Sequence, residues 1–305
     1  MTLRLGTRGS RLAMAQTQSV ADGLTALGLD VDVIPIKTSG DHLAQVALGD
    51  FGGKALFVKE IEEALLEGRI DVGIHSLKDM PAALPAGLSL AAFPRREDPR
   101  DSLVTRRGGG LGDLPPGAVV GTSSLRRRVL LLARRPDLRV EPIRGNVETR
   151  LAKLESGAYD ALVVARAGLD RLGQAPVHET VLPAEEFLPA VGQGILGLEV
   201  REDDRETHEL LGRLEHPGTR MQAQAERAFL HRLGAGCHTP VAGYARLDGD
   251  ALSLTGLVAS PDGATVLRSS ISGLASAAET LGRKVADELL ARGARRLLDA
   301  GGDRP

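Results

Sequence analysis

Gly6-Thr7-Arg8-Gly9-Ser10 and Gly121-Thr122-Ser123-Ser124 hold equivalent places: each closes a short apolar run and opens an amphipathic one. Residues 3–6 read as a strand, and Ser10 suits the cap of a helix over 11–27 that Gly28 ends. A second strand is expected at 31–37, a helix at 57–67 stopped by Gly68, and a third strand at 70–75. Strands separated by helices imply βαβ units and a largely parallel sheet. After a strand at 118–120 the second stretch starts the same plan again. Leu66-Glu67-Gly68-Arg69-Ile70-Asp71 and Leu154-Glu155-Ser156-Gly157-Ala158-Tyr159-Asp160 extend the repeat, because in both a Gly precedes an Asp by three residues and an apolar strand follows. Each match is weak alone. Their common order implies two related α/β lobes facing a cleft, a frequent place for ligands.

Beyond the repeat, Pro94-Arg-Arg-Glu-Asp-Pro-Arg100 reads as a first crossing between lobes. Leu188-Pro-Ala-Val-Gly-Gln-Gly194 reads as a second, returning through a strand at 195–200. Helices are expected at 209–214 and 219–233, then strands at 241–247, 251–259 and 265–272 and one long helix at 275–298. The division this implies is lobe one at 1–94 with 195–214, lobe two at 100–188, and a C-terminal α+β domain at 217–305.

Of the 305 residues, 42% are hydrophobic but only 2% aromatic, so stacking platforms for single-stranded nucleic acid are scarce. A formal net charge of −2 argues against a globally basic nucleic-acid binder. No 18-residue apolar run is present, and Met-Thr-Leu-Arg-Leu-Gly-Thr-Arg8 has no apolar signal core, so a cytoplasmic protein is expected. The charge is unevenly spread. Residues 95–150 hold thirteen Arg, no Lys and seven carboxylates, a local balance of +6. Guanidinium forks grip carboxylates and phosphates bidentately, which points to a polyanionic small ligand. Arg106, Arg107, Arg134 and Arg135 read instead as solvated surface.

Four places concentrate chemistry. His75-Ser76-Leu77-Lys78-Asp79-Met80-Pro81 follows the C-terminal end of a strand, where ligands gather in open α/β sheets. Asp79 there is a carboxylate at the cleft beside Lys78, Ser76 adds a donor, and Pro81 stiffens the loop; the plain alternative is a solvated ion pair of little value. Gly121–Arg128 opens a helix whose free N–H groups and hydroxyls suit an anion. Arg126 and Arg127 in its first turn oppose the helix dipole, which a bound anion would offset; Arg128 reads as a solvated neighbour. Ile143-Arg144-Gly145-Asn146-Val147-Glu148-Thr149-Arg150 is another strand-to-helix turn, and Thr7–Ser10 is its counterpart in lobe one. No phosphate-binding or dinucleotide glycine motif is present, and the seven His are scattered, so no metal is expected. Lastly, Cys237 is the single cysteine, set in Leu233-Gly-Ala-Gly-Cys237-His-Thr-Pro-Val-Ala-Gly243. It forms no internal disulfide, and the glycines leave room for something bulky near the sulfur. The plain alternative is a small buried hydrophobe. A Cys–His hydrolase is disfavoured, since adjacency to His238 in sequence says little about catalytic proximity.

Eight blocks together closely resemble the porphobilinogen deaminase family, in family order from residue 7 to 243. They are residues 7–13, 52–57 (Gly-Gly-Lys-Ala-Leu-Phe), 75–81, 96–101 (Arg-Glu-Asp-Pro-Arg-Asp), 121–127, 144–150, 188–194 and 233–240. The resemblance implies two periplasmic-binding-protein-like lobes of type II, with mixed five-stranded sheets, plus a small α+β C-terminal domain. It implies a transferase, hydroxymethylbilane synthase, of tetrapyrrole and heme biosynthesis. Four porphobilinogen molecules are condensed head to tail with loss of ammonia, and hydrolysis releases hydroxymethylbilane. One dipyrromethane cofactor per chain is expected on Cys237 through a thioether. Asp79 matches the catalytic aspartate. Lys54, Ser76, Lys78, Thr122, Ser124, Arg126, Arg127, Arg144 and Gly145 match cofactor-binding positions; Arg8, Ser10, Arg144, Arg150, Arg171 and Gln193 match substrate-binding ones. A cytoplasmic monomer is implied, with no nucleic-acid or membrane partner. Ala235 and Ala55 stand where the family often has Gly, and Asp50 where it often has Lys. The loop at 43–53 reads as a mobile cover over the site. A two-lobed anion-binding module is the alternative, and it leaves a tethering cysteine without a role.

Overall fold

A computed structural model describes residues 2–38, 58–235 and 239–302, which three sheets organise. The chain opens with β1 (Thr2–Arg8), α1 (Arg11–Ala26), β2 (Asp30–Ile36), α2 (Lys59–Leu66), β3 (Val72–Ser76) and β4 (Leu88–Ala92). It crosses to β5 (Asp101–Thr105), β6 (Val119–Gly121), α3 (Leu125–Arg134), β7 (Arg139–Glu141) and α4 (Val147–Glu155). Then follow β8 (Ala161–Ala165), α5 (Arg166–Arg171), β9 (Glu179–Val181) and the returning strand β10 (Leu196–Arg201). The sheet orders are β2-β1-β3-β10-β4 and β7-β6-β8-β5-β9. In each, the first three strands are parallel and the fourth, which arrives from the other lobe's side of a crossing, is antiparallel. The two orders correspond strand for strand, giving two lobes with mixed five-stranded sheets, as expected.

The repeat seen in sequence has a physical cause. Ser10 caps α1 by accepting from Ala13 N at 3.2 Å, and Ser124 caps α3 by accepting from Arg127 N at 3.4 Å. Gly68 and Gly157 adopt φ of 69° and 83°, the left-handed turn that ends a helix. Three residues later, Asp71 N donates to Arg4 O at 2.9 Å while its carboxylate accepts from Arg4 N at 3.0 Å. Asp160 makes the same two links to Val119, both at 2.9 Å. In each lobe this Asp sits one residue before the first paired position of the third strand, and so pins its parallel register to the first.

Behind the sheets, Leu3 and Leu5 pack with Val20 and Leu24 of α1 in lobe one, and Leu103, Val120, Leu131 and Val163 pack in lobe two. After α6 (Arg205–Gly212) and α7 (Pro217–Leu233), the antiparallel strands β11 (Val241–Asp248), β12 (Ala251–Ala259) and β13 (Val266–Leu274) lead to α8 (Ala278–Ala291) and α9 (Ala294–Gly302). The paired Gly243 and Gly256 form a slot for the buried Phe229 ring; a Cβ on either would lie 3.1 or 2.6 Å from it. Truncating Phe229 to Ala would cost about 3–5 kcal/mol.

Two expected elements differ. The long helix over 275–298 is two helices, because Gly293 takes φ 96° after Arg292 and turns α9 so that Ala294 and Leu298 enter the core. The helix expected at 209–214 begins at Arg205, because the Asp204 carboxylate caps it from Thr207 N at 3.1 Å. The loop at 43–53, with Asp50, Lys54 and Ala55, lies outside the described residues, as does Cys237.

Candidate active site

The C-terminal ends of β1, β3, β6 and β8 converge on a cavity of about 860 Å³ between the lobes. Lobe one contributes Arg8, Ser10, Gln16, Ser76, Lys78 and Asp79, and lobe two contributes Thr122, Ser123, Ser124, Arg144, Gly145, Arg150 and Arg171. Gly192, Gly194 and Ile195 of the second crossing close the floor. A smaller cavity of about 210 Å³ shares Lys78, Asp79 and Ser124, and adds Arg126, Arg127, Gln193, Thr239 and Val241. Thr239 is the second residue past Cys237.

Asp79 ends a 3-10 turn, Leu77–Asp79, that follows β3 directly. The turn is held by its apolar members: Leu77 and Met80 are buried with Phe93 and Ile195, and Leu77 N donates to Ile195 O at 2.9 Å. With those two inward, Asp79 is left exposed and lines both cavities. Gln16 of α1 donates to Ser76 Oγ at 2.8 Å and fixes the start of the turn. Lys78 is part-buried, and its Nζ lies 3.5 Å from Gln193 Oε1. Desolvation lowers its pKa to about 8, against the opposing pull of Asp79.

Arg126 and Arg127, expected to bind an anion, already face one within the chain. Both are buried and ion-paired to Asp101, which has 0% exposure; the Nη2 distances are 2.8 and 2.7 Å. Further donors go to the carbonyls of Leu188 and Val163 at 2.7 and 3.1 Å. Burial alone would raise the Asp101 pKa, but Arg126 and Arg127, with a hydrogen bond from Gln193, outweigh it and hold it at about 2. One carboxylate facing two guanidiniums leaves a net positive charge on the wall of the smaller cavity, and Arg126 Nε has no hydrogen-bond partner among the described residues. Asp101 gave no functional signal in the sequence beyond its place at the end of the 96–101 block.

Gln193 lines the smaller cavity from a buried position. Only 1% exposed, it donates to Pro99 O at 2.7 Å and to Asp101 Oδ1 at 3.0 Å, so it links the two crossings to Asp101 and Lys78. Arg150 donates to Gly145 O at 2.9 Å, and Arg171 to Gly194 O at 3.0 Å. Burial lowers the pKa of both, Arg127 adding to the effect at Arg150 and Glu97 opposing it at Arg171. Gly145 has φ 106°, and a Cβ there would lie 2.7 Å from Thr149, so the backbone at this wall requires glycine. Arg144 and Arg128 are exposed, and Arg128 lines the large cavity rather than standing apart from it. Arg11 of α1 pairs with Glu148 of α4 at 3.1 Å and joins the lobes, a contact not anticipated from sequence. Cys237 and Lys54 lie outside the described residues. Among the described residues, no group of three His, Asp or Glu converges as metal ligands do, and no helix is long and apolar enough to cross a membrane.

The site is an arginine-rich, hydroxyl-lined cleft around one carboxylate, suited to a ligand with several carboxylates. The family model described as porphobilinogen deaminase, dipyromethane cofactor binding domain, matches residues 3–209, and the C-terminal domain model of the same family matches residues 221–291. A porphobilinogen deaminase of Syntrophobacter fumaroxidans (strain DSM 10017 / MPOB) is 48% identical over 299 residues, covering 97% of each chain. Among solved structures, the methionine binding protein MetQ superposes with a TM-score of 0.44 at 15% identity, over 70% of this chain and 88% of its own. A periplasmic substrate-binding protein of an ABC transporter from Coxiella burnetii gives 0.42 at 18% identity, over 70% and 92%.

Proposed function

The chain belongs to the porphobilinogen deaminase family, and from that premise we propose that its interlobe cavity builds the tetrapyrrole around Asp79, with Cys237 as the point of attachment. The reaction is a transfer: four porphobilinogen molecules join head to tail, each losing ammonia, and water then releases hydroxymethylbilane. One observation carries the reading. Cationic and hydroxyl donors from both lobes surround a single carboxylate, next to a second cavity lined by Thr239, two residues past Cys237.

A dipyrromethane fits the donor set. Its acetate and propionate groups suit guanidiniums, hydroxyls and the N-terminus of α3, and the unpartnered Arg126 Nε and the spare positive charge beside Asp101 favour an anion there. When bound, the group supplies the free pyrrole carbon from which the product grows. Ser76, Lys78, Thr122, Ser124, Arg126, Arg127, Arg144 and the Gly145 backbone hold it, with Lys54 added by resemblance. Arg8, Ser10, Arg144, Arg150, Arg171 and Gln193 bind incoming substrate, and Gln193 also holds Lys78 and Asp101. As ammonia leaves, positive charge develops on the substrate ring. The Asp79 carboxylate stabilises that charge and accepts the proton released when the new bond forms. Cys237 is a tether that stays bonded through turnover. The three-part division at 1–94 with 195–214, 100–188 and 217–305, and a cytoplasmic monomer acting without nucleic acid or membrane, belong to the same proposal.

Intact mass tests it. Wild-type protein is expected to carry a covalent two-pyrrole adduct and to turn purple with Ehrlich's reagent, and Cys237→Ala to carry none. Asp79→Asn is expected to load normally and to lose turnover by roughly 10²–10⁴-fold. An unmodified, fully active wild type would sink the proposal.

A further inference from the structure

Arg227 stands on α7 directly after Glu226, and its guanidinium goes to two backbone carbonyls. Nη1 donates to Pro81 O at 3.2 Å and Nη2 to Ala82 O at 3.0 Å. Burial lowers its pKa, and the charge of Glu199 opposes that shift. The side chain is half-buried and both terminal nitrogens are given to these carbonyls, so the carbonyls are what its position serves. Pro81 and Ala82 follow immediately on the turn that carries Asp79.

The other flank of the turn is held from the same helix. Glu226, fully buried, accepts from Gly192 N at 2.6 Å and pairs with Arg96 at 2.7 Å. Gly192 has φ 73° and lies so close to the turn that a Cβ would sit 3.0 Å from the Leu77 carbonyl carbon and Lys78 N. Consecutive residues of α7 therefore grip both sides of the Asp79 turn. The helix ends at Leu233, four residues before Cys237. Arg227 itself lines neither cavity of the site.

We infer that Arg227 is a positioning residue for Asp79, fixing the turn from behind so that one helix sets the carboxylate's place and leads on to the attachment loop. The inference rests on the role of Asp79 proposed above. It makes a distinctive demand: substrate contacts are untouched, and only the geometry of the reacting carboxylate changes.

The test compares Arg227→Met, which keeps the stem and removes the donors, with Arg227→Lys, which keeps the charge and one donor group. For Arg227→Met the expectation is full covalent loading by intact mass, KM within about two-fold, and kcat lower by about 10- to 100-fold, the scale of an ångström-sized misplacement. Arg227→Lys recovers part of kcat. On an Asp79→Asn background, Arg227→Met causes no further loss. Unchanged kcat in loaded Arg227→Met, or a rise in KM alone, overturns the inference. Failure of Arg227→Lys to give folded, loaded protein overturns it too, by assigning the residue to stability. Normal turnover in Asp79→Asn alone is a separate outcome: it removes the role of Asp79, and the inference falls with it.

Discussion

Replacing Asp101 with Asn removes one negative charge from a place where two guanidiniums, among the described residues, have no other carboxylate in an ion pair. Asp101 is fully buried, forms an ion pair with Arg126 at 2.8 Å, and accepts from Arg127 and Gln193 at 2.7–3.1 Å. The fall of its pKa from 3.8 to about 2, at about 1.4 kcal/mol per pH unit, corresponds to about 2–3 kcal/mol of stability at neutral pH. Removing one partner of a buried ion pair leaves uncompensated charge, which puts the cost of Asp101→Asn nearer about 3–5 kcal/mol. Because the folded pKa is depressed, this stabilisation is complete above about pH 4 and is lost as pH falls through 2. Urea unfolding at pH 7, followed by far-UV circular dichroism, measures the loss, and a series from pH 5 to 2 measures its titration. The variant is expected to be weaker at pH 7 and to converge on wild type as the pH falls. A difference below about 0.5 kcal/mol at pH 7, the scale of an ordinary surface change, would refute the reasoning.

Two further outcomes test the packing and the buried acids. Glu62, beside Glu199 and His75 under the site, has its pKa raised to about 7 by burial first and the Glu199 charge second. Wild type should therefore lose stability as pH rises from 4.5 to 7, and Glu62→Gln should abolish that slope and be about 1–3 kcal/mol more stable at pH 8; an unchanged slope in thermal melts counts against it. A methyl at Gly282 of α8 would collide with the Ala225 carbonyl and lie 2.9 Å from Phe229 N, whereas one at Gly212 in α6 meets nothing within 4 Å. Gly282→Ala is expected to destabilise by about 1–3 kcal/mol and Gly212→Ala to be neutral or mildly stabilising, so equal melting shifts for the two would be inconsistent with the helix contact.

The parts of the fold governed by local rules were legible in the sequence. Ser10, Ser124, Gly68 and Gly157 act within a turn of themselves, and their repeated order disclosed two lobes before any contact was known. Asp79 and the hydroxyls of the two helix caps were legible for the same reason, since strand ends are where such sites form. Partnerships between distant segments were not. Asp101 meets Arg126 and Arg127 only because β5 is inserted beside β8, so a pair spanning 26 residues looked like two open cations. Arg227 was not singled out, because its targets, 145 and 146 residues away, are carbonyls that leave no mark in the sequence. Gly293 was overridden by the Ala- and Leu-rich run around it, though its left-handed turn decides where α9 goes.

The strand exchange between the lobes also bears on how the chain is made. β3 and β4 do not pair with each other; each pairs with β10, which is laid between them. The sheet of lobe two is one unbroken stretch from residue 101 to 181, whereas that of lobe one needs residues 2–92 and then 196–201. During vectorial synthesis the second lobe can close first. The first lobe, though made earlier, waits with two open strand edges until its inner strand emerges, and such edges invite pairing with other chains. A chain ending at Leu188 should protect the amides of Ala161–Ala165 from hydrogen exchange while leaving those of Leu88–Ala92 open, and the reverse pattern would contradict this order.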